Sequence, residues 1–294
     1  MTWGAPIWIY LWLAGMAGGA YFAAFLAERF TGEANGRLLR LATYLGIPLA
    51  VIGVLLLVVD LGKPIRFWHL FTQFNVTSPM SMGTWILLVW VAIAVVMVVL
   101  WWVGNRRGEA ASGGIRGVTG FLGWINLVLA VLLIAYTGVL LAVSNQPLWA
   151  STVLLPALFV ASAISTGVAI IIITALTARG LAIPGRTVSR LAEADAVIIL
   201  IELAVLIGYV IWLATSAIVG TGEALRLLTI GTLAAPFWVG VVLLALLIPL
   251  GLDVANWRKQ IETKTVWRTV LTSSTCVVLG GLILRAVITI GGQM

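Results

Sequence analysis

Residues 83–103 read GTWILLVWVAIAVVMVVLWWV, and none of these 21 side chains carries a charge. A helix rises about 1.5 Å per residue, so about 20 apolar residues cross the hydrocarbon core of a bilayer. The whole sequence has this character, because 62% of its residues are hydrophobic and only 9% are charged. Soluble domains carry about 25% charged residues. The sequence therefore predicts an integral membrane protein.

Apolar runs of this length recur along the 294 residues. We predict transmembrane helices near residues 6–27, 38–60, 83–103, 119–143, 150–178, 194–219, 226–251 and 266–290. The expected fold is all-α, with eight transmembrane helices.

Basic residues are divided unevenly between the two sides of these spans. Thirteen of the 17 lysines and arginines follow the first, third, fifth and seventh spans, whereas Lys63, Arg66 and Arg226 lie on the opposite side. Cytoplasmic loops carry such an excess of basic residues. Both termini and the segment 61–82 are therefore predicted to lie outside. The net charge of +7 reports this topology and does not indicate a nucleic-acid partner.

A weak internal repeat relates the two halves of the sequence. Residues 11–18 (LWLAGMAG) resemble residues 158–165 (LFVASAIS) in their pattern of small side chains. Both segments begin spans that run inwards, so the halves would be parallel repeats. We predict two four-helix bundles, residues 1–145 and 146–294. Close helix packing alone also explains the small residues.

Metal ligands are scarce, because the sequence has one histidine, His69, and one cysteine, Cys276. A bis-histidine haem needs two imidazoles, and an iron–sulfur cluster needs several thiolates. We therefore expect no haem and no metal in this chain.

The predicted outer segment is rich in aromatic and basic residues. Lys63, Arg66, Phe67 and Trp68 precede His69 within it. Such a segment is an interfacial anchor, a lid over a site or a dock for a partner, and the residues alone leave these interpretations open.

Three ionisable residues within or at the ends of predicted spans are candidates for function. Glu202 is near the middle of the sixth span, Arg285 lies in the eighth, and Asp60 closes the second. Intramembrane charges are costly and mark function by default. Glu202 and Asp60 are candidates for proton transfer. Alternatively, Glu202 and Arg285 neutralise each other, and Asp60 pairs locally.

Two tyrosines lie at similar depth below the predicted outer face. Tyr10 is about one turn into the first span, and Tyr136 is about two turns below the end of the fourth. A phenol at that depth can donate a hydrogen bond to a quinone carbonyl. Gly138 is expected to make room for a ligand beside Tyr136. A place in the interfacial aromatic belt is the plainer interpretation of Tyr10.

Several motifs, concentrated in residues 6–168, resemble the NrfD/polysulfide-reductase membrane-subunit family. They are Trp8–Gly18, Asp60–Phe67, Ser78–Trp85, Tyr136–Trp149 and Leu154–Ser162. The resemblance implies a haem-free, eight-helix subunit of the prokaryotic cytoplasmic membrane. Such subunits react with menaquinone or ubiquinone at an outer site. Their partner is a four-cluster, ferredoxin-like iron–sulfur subunit, which connects to a catalytic subunit, often a molybdopterin enzyme.

Carried over by position, the resemblance makes Tyr136 the quinone-contacting tyrosine. Tyr10, Gly15, Gly138, Asp60 and His69 complete the expected quinone site. Glu202, Asp60 and Arg285 are expected to transfer protons, and Lys63, Arg66, Phe67 and Trp68 to dock the partner. The protein would be catalytic only with its partners. A secondary transporter and a purely structural anchor are the alternative functions, and co-purifying proteins would distinguish them.

The orientation is directly testable by labelling introduced single cysteines with a membrane-impermeant reagent. Cysteines placed near Arg107, Arg186 and Lys259 should be protected in intact cells, whereas both termini should react. A protected terminus would contradict the predicted orientation.

Overall fold

The computed structural model describes residues 3–31, 36–60, 78–107, 109–143, 148–149, 152–178, 183–257 and 264–294. The helices in this part of the protein are α1 (Ala5–Thr31), α2 (Arg37–Asp60), α3 (Pro79–Arg107), α4 (Glu109–Ala142), α5 (Leu154–Thr177), α6 (Gly185–Thr215), α7 (Thr221–Thr229), α8 (Pro236–Ala255) and α9 (Lys264–Gly291). All of these helices except α7 contain a stretch long and apolar enough to cross a membrane, and these eight stretches confirm the predicted fold class.

The seventh span differs from its predicted bounds of 226–251. Residues Thr221–Thr229 form the separate short helix α7, and the membrane-spanning helix α8 begins only at Pro236. The backbone turns between them, where the Gly231 N–H donates to the Arg226 carbonyl at 2.7 Å. Proline suits the first turn of a helix, because its missing N–H would have no partner there. Hydropathy alone cannot show this break.

The first part of α8, Pro236–Leu247, is a π-helix, and Ile248–Ala255 continues as an α-helix. At their junction the Ile248 N–H donates to the carbonyl of Leu243, five residues earlier. This segment packs closely on α9, since a Cβ on Gly240 would lie 2.5 Å from Ile283 Cγ2. Glycine at position 240 therefore allows the π-helical segment to pack closely against α9.

Helix α1 is the most buried of the spans, and it contacts α2, α4, α5 and α9. Its closest approach is to α5. A Cβ on Gly19 would lie 1.9 Å from the Ala163 carbonyl oxygen, and one on Gly167 would lie 2.2 Å from the Ala20 nitrogen. Lipid tails are as apolar as the helices, so transmembrane helices associate largely through such tight packing. Gly19 and Gly167 therefore allow the two backbones to touch.

The remaining contacts fall mainly within each half of the sequence. In the first half α1 packs on α2 and α4, and α3 packs on α4; in the second half α5 packs on α6 and α9, and α8 packs on α9. Helices α1, α4, α5 and α9 make most of the contacts between halves, and one buried cluster continues across them. The predicted division at residue 145 stays a prediction.

We expect Gly167→Ala to destabilise the fold, because the new methyl group would collide with the α1 backbone, which cannot rotate away. Overpacking of this kind costs about 1–3 kcal/mol or more. Thermal unfolding in detergent, followed by tryptophan fluorescence, should show a lower midpoint. Gly251→Ala is the matched control, since a Cβ there would meet no described atom within 4 Å. Equal midpoints for the two variants would contradict the importance of this contact.

Candidate functional site: a phenol pair and a buried charge cluster

The side chains of Tyr10 and Tyr136 meet in the half of the bundle that is predicted to be outer. Both are buried, Tyr10 on α1 and Tyr136 on α4, and their hydroxyl groups are close enough to interact. Tyr10 Oη nevertheless has no hydrogen bond of ordinary distance and angle within the described part of the protein. An enclosed polar atom without a partner is unfavourable. The structure thus brings the two predicted phenols together and leaves one donor unused.

Each phenol ring packs against a glycine on a neighbouring helix. A Cβ on Gly83 of α3 would lie 1.9 Å from Tyr136 Cζ, the carbon that carries the hydroxyl group. A Cβ on Gly53 of α2 would lie 3.1 Å from Tyr10 Cδ2. Any larger residue at position 83 would displace the Tyr136 hydroxyl. Gly83 therefore positions this phenol.

Tyr10 forms part of the wall of an apolar cleft of about 210 Å³ between α2 and α3. Its other lining residues are Val51, Val54, Leu55, Leu57 and Val58 of α2, and Thr84, Leu87, Leu88 and Val91 of α3. Val51, Leu55 and Leu88 are exposed, so the cleft opens sideways towards lipid. Tyr136 is not among the residues that line this cleft. The prediction that Tyr136 contacts a quinone stays a prediction.

Two predicted site glycines have other neighbours than expected. The space beside Gly138 is occupied by α5, because a Cβ there would lie 2.5 Å from Pro156 Cα. Gly138 therefore accommodates a helix where we expected room for a ligand. Gly15 faces Arg285 of α9, whose Nη2 would lie 3.0 Å from an added Cβ. It belongs to the charge cluster rather than to the phenol pair.

Glu202 and Arg285 lie in one buried cluster with Ser162 of α5. Arg285 is completely buried, and its Nη1 donates to Ser162 Oγ at 3.1 Å and to the Gly281 carbonyl at 2.9 Å. The Glu202 carboxylate interacts with the same serine and with the arginine charge. The Arg285 guanidinium also lies 5.4 Å from the ring centroid of Phe159. Nε and Nη2 of Arg285 have no hydrogen-bond partner among the described residues.

Two buried carboxylates were missed by the sequence analysis. Asp195 of α6 lies beside Ser165, and Asp253 of α8 lies beside Ser273; the two acids are near enough to interact electrostatically. Asp195 precedes Glu202 by seven residues, which is two helical turns on the same face. That spacing was the available signal, but residue 195 fell at the edge of the predicted span. No signal pointed to Asp253.

The family profile described as "Polysulphide reductase, NrfD" matches the protein over residues 1–294. The protein belongs to this family. It is 32% identical to the C subunit of polysulfide reductase from Wolinella succinogenes over 270 residues, which cover 87% of the present sequence and 84% of that subunit. It is also 29% identical to protein NrfD of Escherichia coli K12, with 100% of the present sequence and 96% of that protein covered.

NrfD-family membership makes this protein the multi-pass membrane subunit of a redox complex. The structure gives a physical reason for one motif that carried the resemblance, since Gly83 within Ser78–Trp85 holds the Tyr136 ring. Among the described residues, no group of three or more His, Cys, Asp or Glu side chains could hold a metal ion.

Some predicted residues cannot be placed against the phenol pair. Asp60 is the last residue of α2, at the same end of the bundle as Tyr10. Lys63, Arg66, Phe67, Trp68 and His69 lie outside the described residues. Their predicted roles in covering the site and docking a partner stay predictions.

Proposed function

We propose that this protein exchanges electrons between the membrane quinone pool and an iron–sulfur partner subunit. The observation that carries the proposal concerns Tyr10, whose buried hydroxyl has no hydrogen-bond partner among the described residues and whose side chain forms part of the wall of a cleft that opens to lipid. A lipid-soluble quinone would enter such a cleft from the bilayer without crossing water. The partner subunit would connect to a catalytic subunit, and the predicted molybdopterin type of that subunit is part of the proposal.

The cleft has the size and the chemistry for a quinone ring. A dry cavity of roughly 150 Å³ holds a benzene molecule, and this cleft measures about 210 Å³. Its walls are aliphatic, and Tyr10 supplies a donor for a carbonyl oxygen. The bound quinone would supply the two-electron redox chemistry. The Tyr10 hydroxyl would orient the quinone carbonyl, and the Tyr136 hydroxyl would interact with that of Tyr10.

Tyr10→Phe and Tyr136→Phe should each slow quinol-linked electron transfer to the partner about five- to a hundredfold. A hydrogen bond is worth about 1 kcal/mol net, an unpaired buried polar group costs about 1–3 kcal/mol, and 1.4 kcal/mol is tenfold. Both variants keep the ring volume, so the complex should assemble. An artificial donor that reduces the partner directly should give unchanged rates.

Tyr44→Phe is the matched control, because that phenol is half exposed on α2 and lies towards the opposite end of the helix. Wild-type quinol kinetics in both the Tyr10→Phe and Tyr136→Phe variants would refute the site. A complex that is active with the artificial donor but indifferent to quinol would favour a purely structural anchor.

We further propose that protons reach this site through the buried charge cluster. Gly15 contacts Arg285 and stands five residues from Tyr10 on α1, about 7.5 Å along the helix. Glu202 lies across Ser162 from Arg285, and Asp195 lies about 10.5 Å further along α6 towards the predicted inner face. Asp253 continues the series near the end of α8. The gaps exceed hydrogen-bond distance, so ordered water would have to bridge them.

Asp60 offers the alternative proton source from the predicted outer face, and the two routes are separable. In proteoliposomes that contain the complex, Glu202→Gln and Asp195→Asn should slow turnover and proton uptake at least tenfold if the inner route operates, because the amides carry no titratable proton. Glu223→Gln, an exposed change on α7, is the control. Wild-type proton uptake in both variants would exclude the inner route and leave Asp60.

A further inference from the structure

A second groove lies at the other end of the bundle, where α2 and α4 begin and α3 ends. It measures about 520 Å³ and is lined by Gly36, Leu39, Arg40, Trp101, Arg116, Thr119 and Gly120. We propose that this groove binds the phosphate headgroup of an anionic phospholipid. The inference is independent of the quinone proposal, since none of these residues belongs to the phenol pair or to the charge cluster.

Two arginines give the groove its charge. The Arg40 guanidinium lies 5.5 Å from the ring centroid of Trp101, and the Glu28 carboxylate is within electrostatic reach of it. Glu28 Oε1 also accepts the Leu39 N–H at 2.9 Å. The Arg116 side chain is exposed and has no hydrogen bond or ion pair within the described part of the protein. Among the described side chains of the groove, one net positive charge is therefore available to a phosphate, with five guanidinium donors.

Aromatic side chains place the groove at headgroup depth. Trp101 packs edge-on against Tyr44, with ring centroids 6.3 Å apart, and Arg106 lies 3.8 Å from the ring centroid of Trp102. Tryptophan and tyrosine collect at the boundary between hydrocarbon and headgroups. Basic pockets between transmembrane helices at that level bind anionic headgroups.

A glycine face on α4 points to a molecule outside this protein. Gly113, Gly117 and Gly120 follow each other at spacings of four and three, so they share one face of the helix. A Cβ at any of the three would meet no described atom within 4 Å. Glycine weakens a helix relative to alanine. At Gly19 and Gly167 the close packing of α1 on α5 explains why glycine is present. Here the open space admits a ligand to the backbone beside Arg116.

The apolar part of the same helices suits the acyl chains. Beyond the groove, towards the bilayer centre, Val99 of α3 and Phe121 and Trp124 of α4 are at least half exposed. The occupant that combines an anionic headgroup with apolar chains is a phospholipid such as phosphatidylglycerol.

Native mass spectrometry of the purified full-length protein tests the proposal. Phosphatidylglycerol and phosphatidylcholine of the same acyl composition would be titrated separately, and their affinities compared. Wild type should prefer phosphatidylglycerol, and R40Q/R116Q should lose that preference about thirtyfold, since each arginine near the surface is worth about fivefold. Gly120→Leu should lose it as well by filling the groove, while folding normally because no described neighbour is displaced.

The control variant R186Q/R268Q removes two exposed arginines on the same side of the bundle but outside the groove. An equal loss in this control would refute a specific site and leave only surface charge. Equal competition by soluble glycerol phosphate would show a phosphate site that does not need a lipid. A change of oligomeric mass in Gly120→Leu would show that the glycine face packs on another protein helix. Each of these three results would overturn the lipid assignment.

Discussion

The contact between the backbones of α1 and α5 is the constraint on which the rest of the structure depends. Gly19 and Gly167 let these helices approach until a single methyl group on either would overlap the other's main chain. In lipid there is no hydrophobic gain from burying one apolar helix against another, so this shape match has to supply the association. Once α1 is fixed against α5, its other faces are fixed as well. One carries Tyr10 towards α2 and α4, and another presents Gly15 to Arg285.

The two polar regions of the bundle differ in what stabilises them. The charge of Arg285 interacts with Glu202, so the cost of a charge in hydrocarbon is offset within the protein, although Nε and Nη2 of Arg285 have no hydrogen-bond partner among the described residues. Tyr10 is not compensated in this way, although it is equally enclosed. Burying a neutral phenol in an apolar environment costs less free energy than burying an ion. A hydroxyl group without a partner inside the protein can donate its hydrogen bond to a ligand that binds and leaves. The family's redox role and this asymmetry together support the quinone proposal.

Glycine serves different ends along this sequence, and only the structure separates them. Gly83 makes room for the Tyr136 ring, Gly138 for Pro156, and Gly15 for the Arg285 guanidinium. Gly113 and Gly120 have open space beside them among the described residues. In the sequence all of these positions are glycine, with nothing to distinguish their roles. Whether the space is filled by the protein or left for a ligand depends on which helix stands opposite.

The sequence by itself determined the membrane environment, the eight spans and the polar residues worth attention, because span length and the cost of buried charge act locally. Only the tertiary structure decided which helix faces meet. It placed Tyr10, but not Tyr136, in the wall of the cleft between α2 and α3, filled the space beside Gly138 with α5, and showed that Asp195 and Asp253 are buried. In a soluble helix an apolar stripe marks the buried face. In lipid both faces of a helix are apolar. The rotation of each helix about its own axis is therefore set by packing against its neighbours and cannot be predicted from hydropathy.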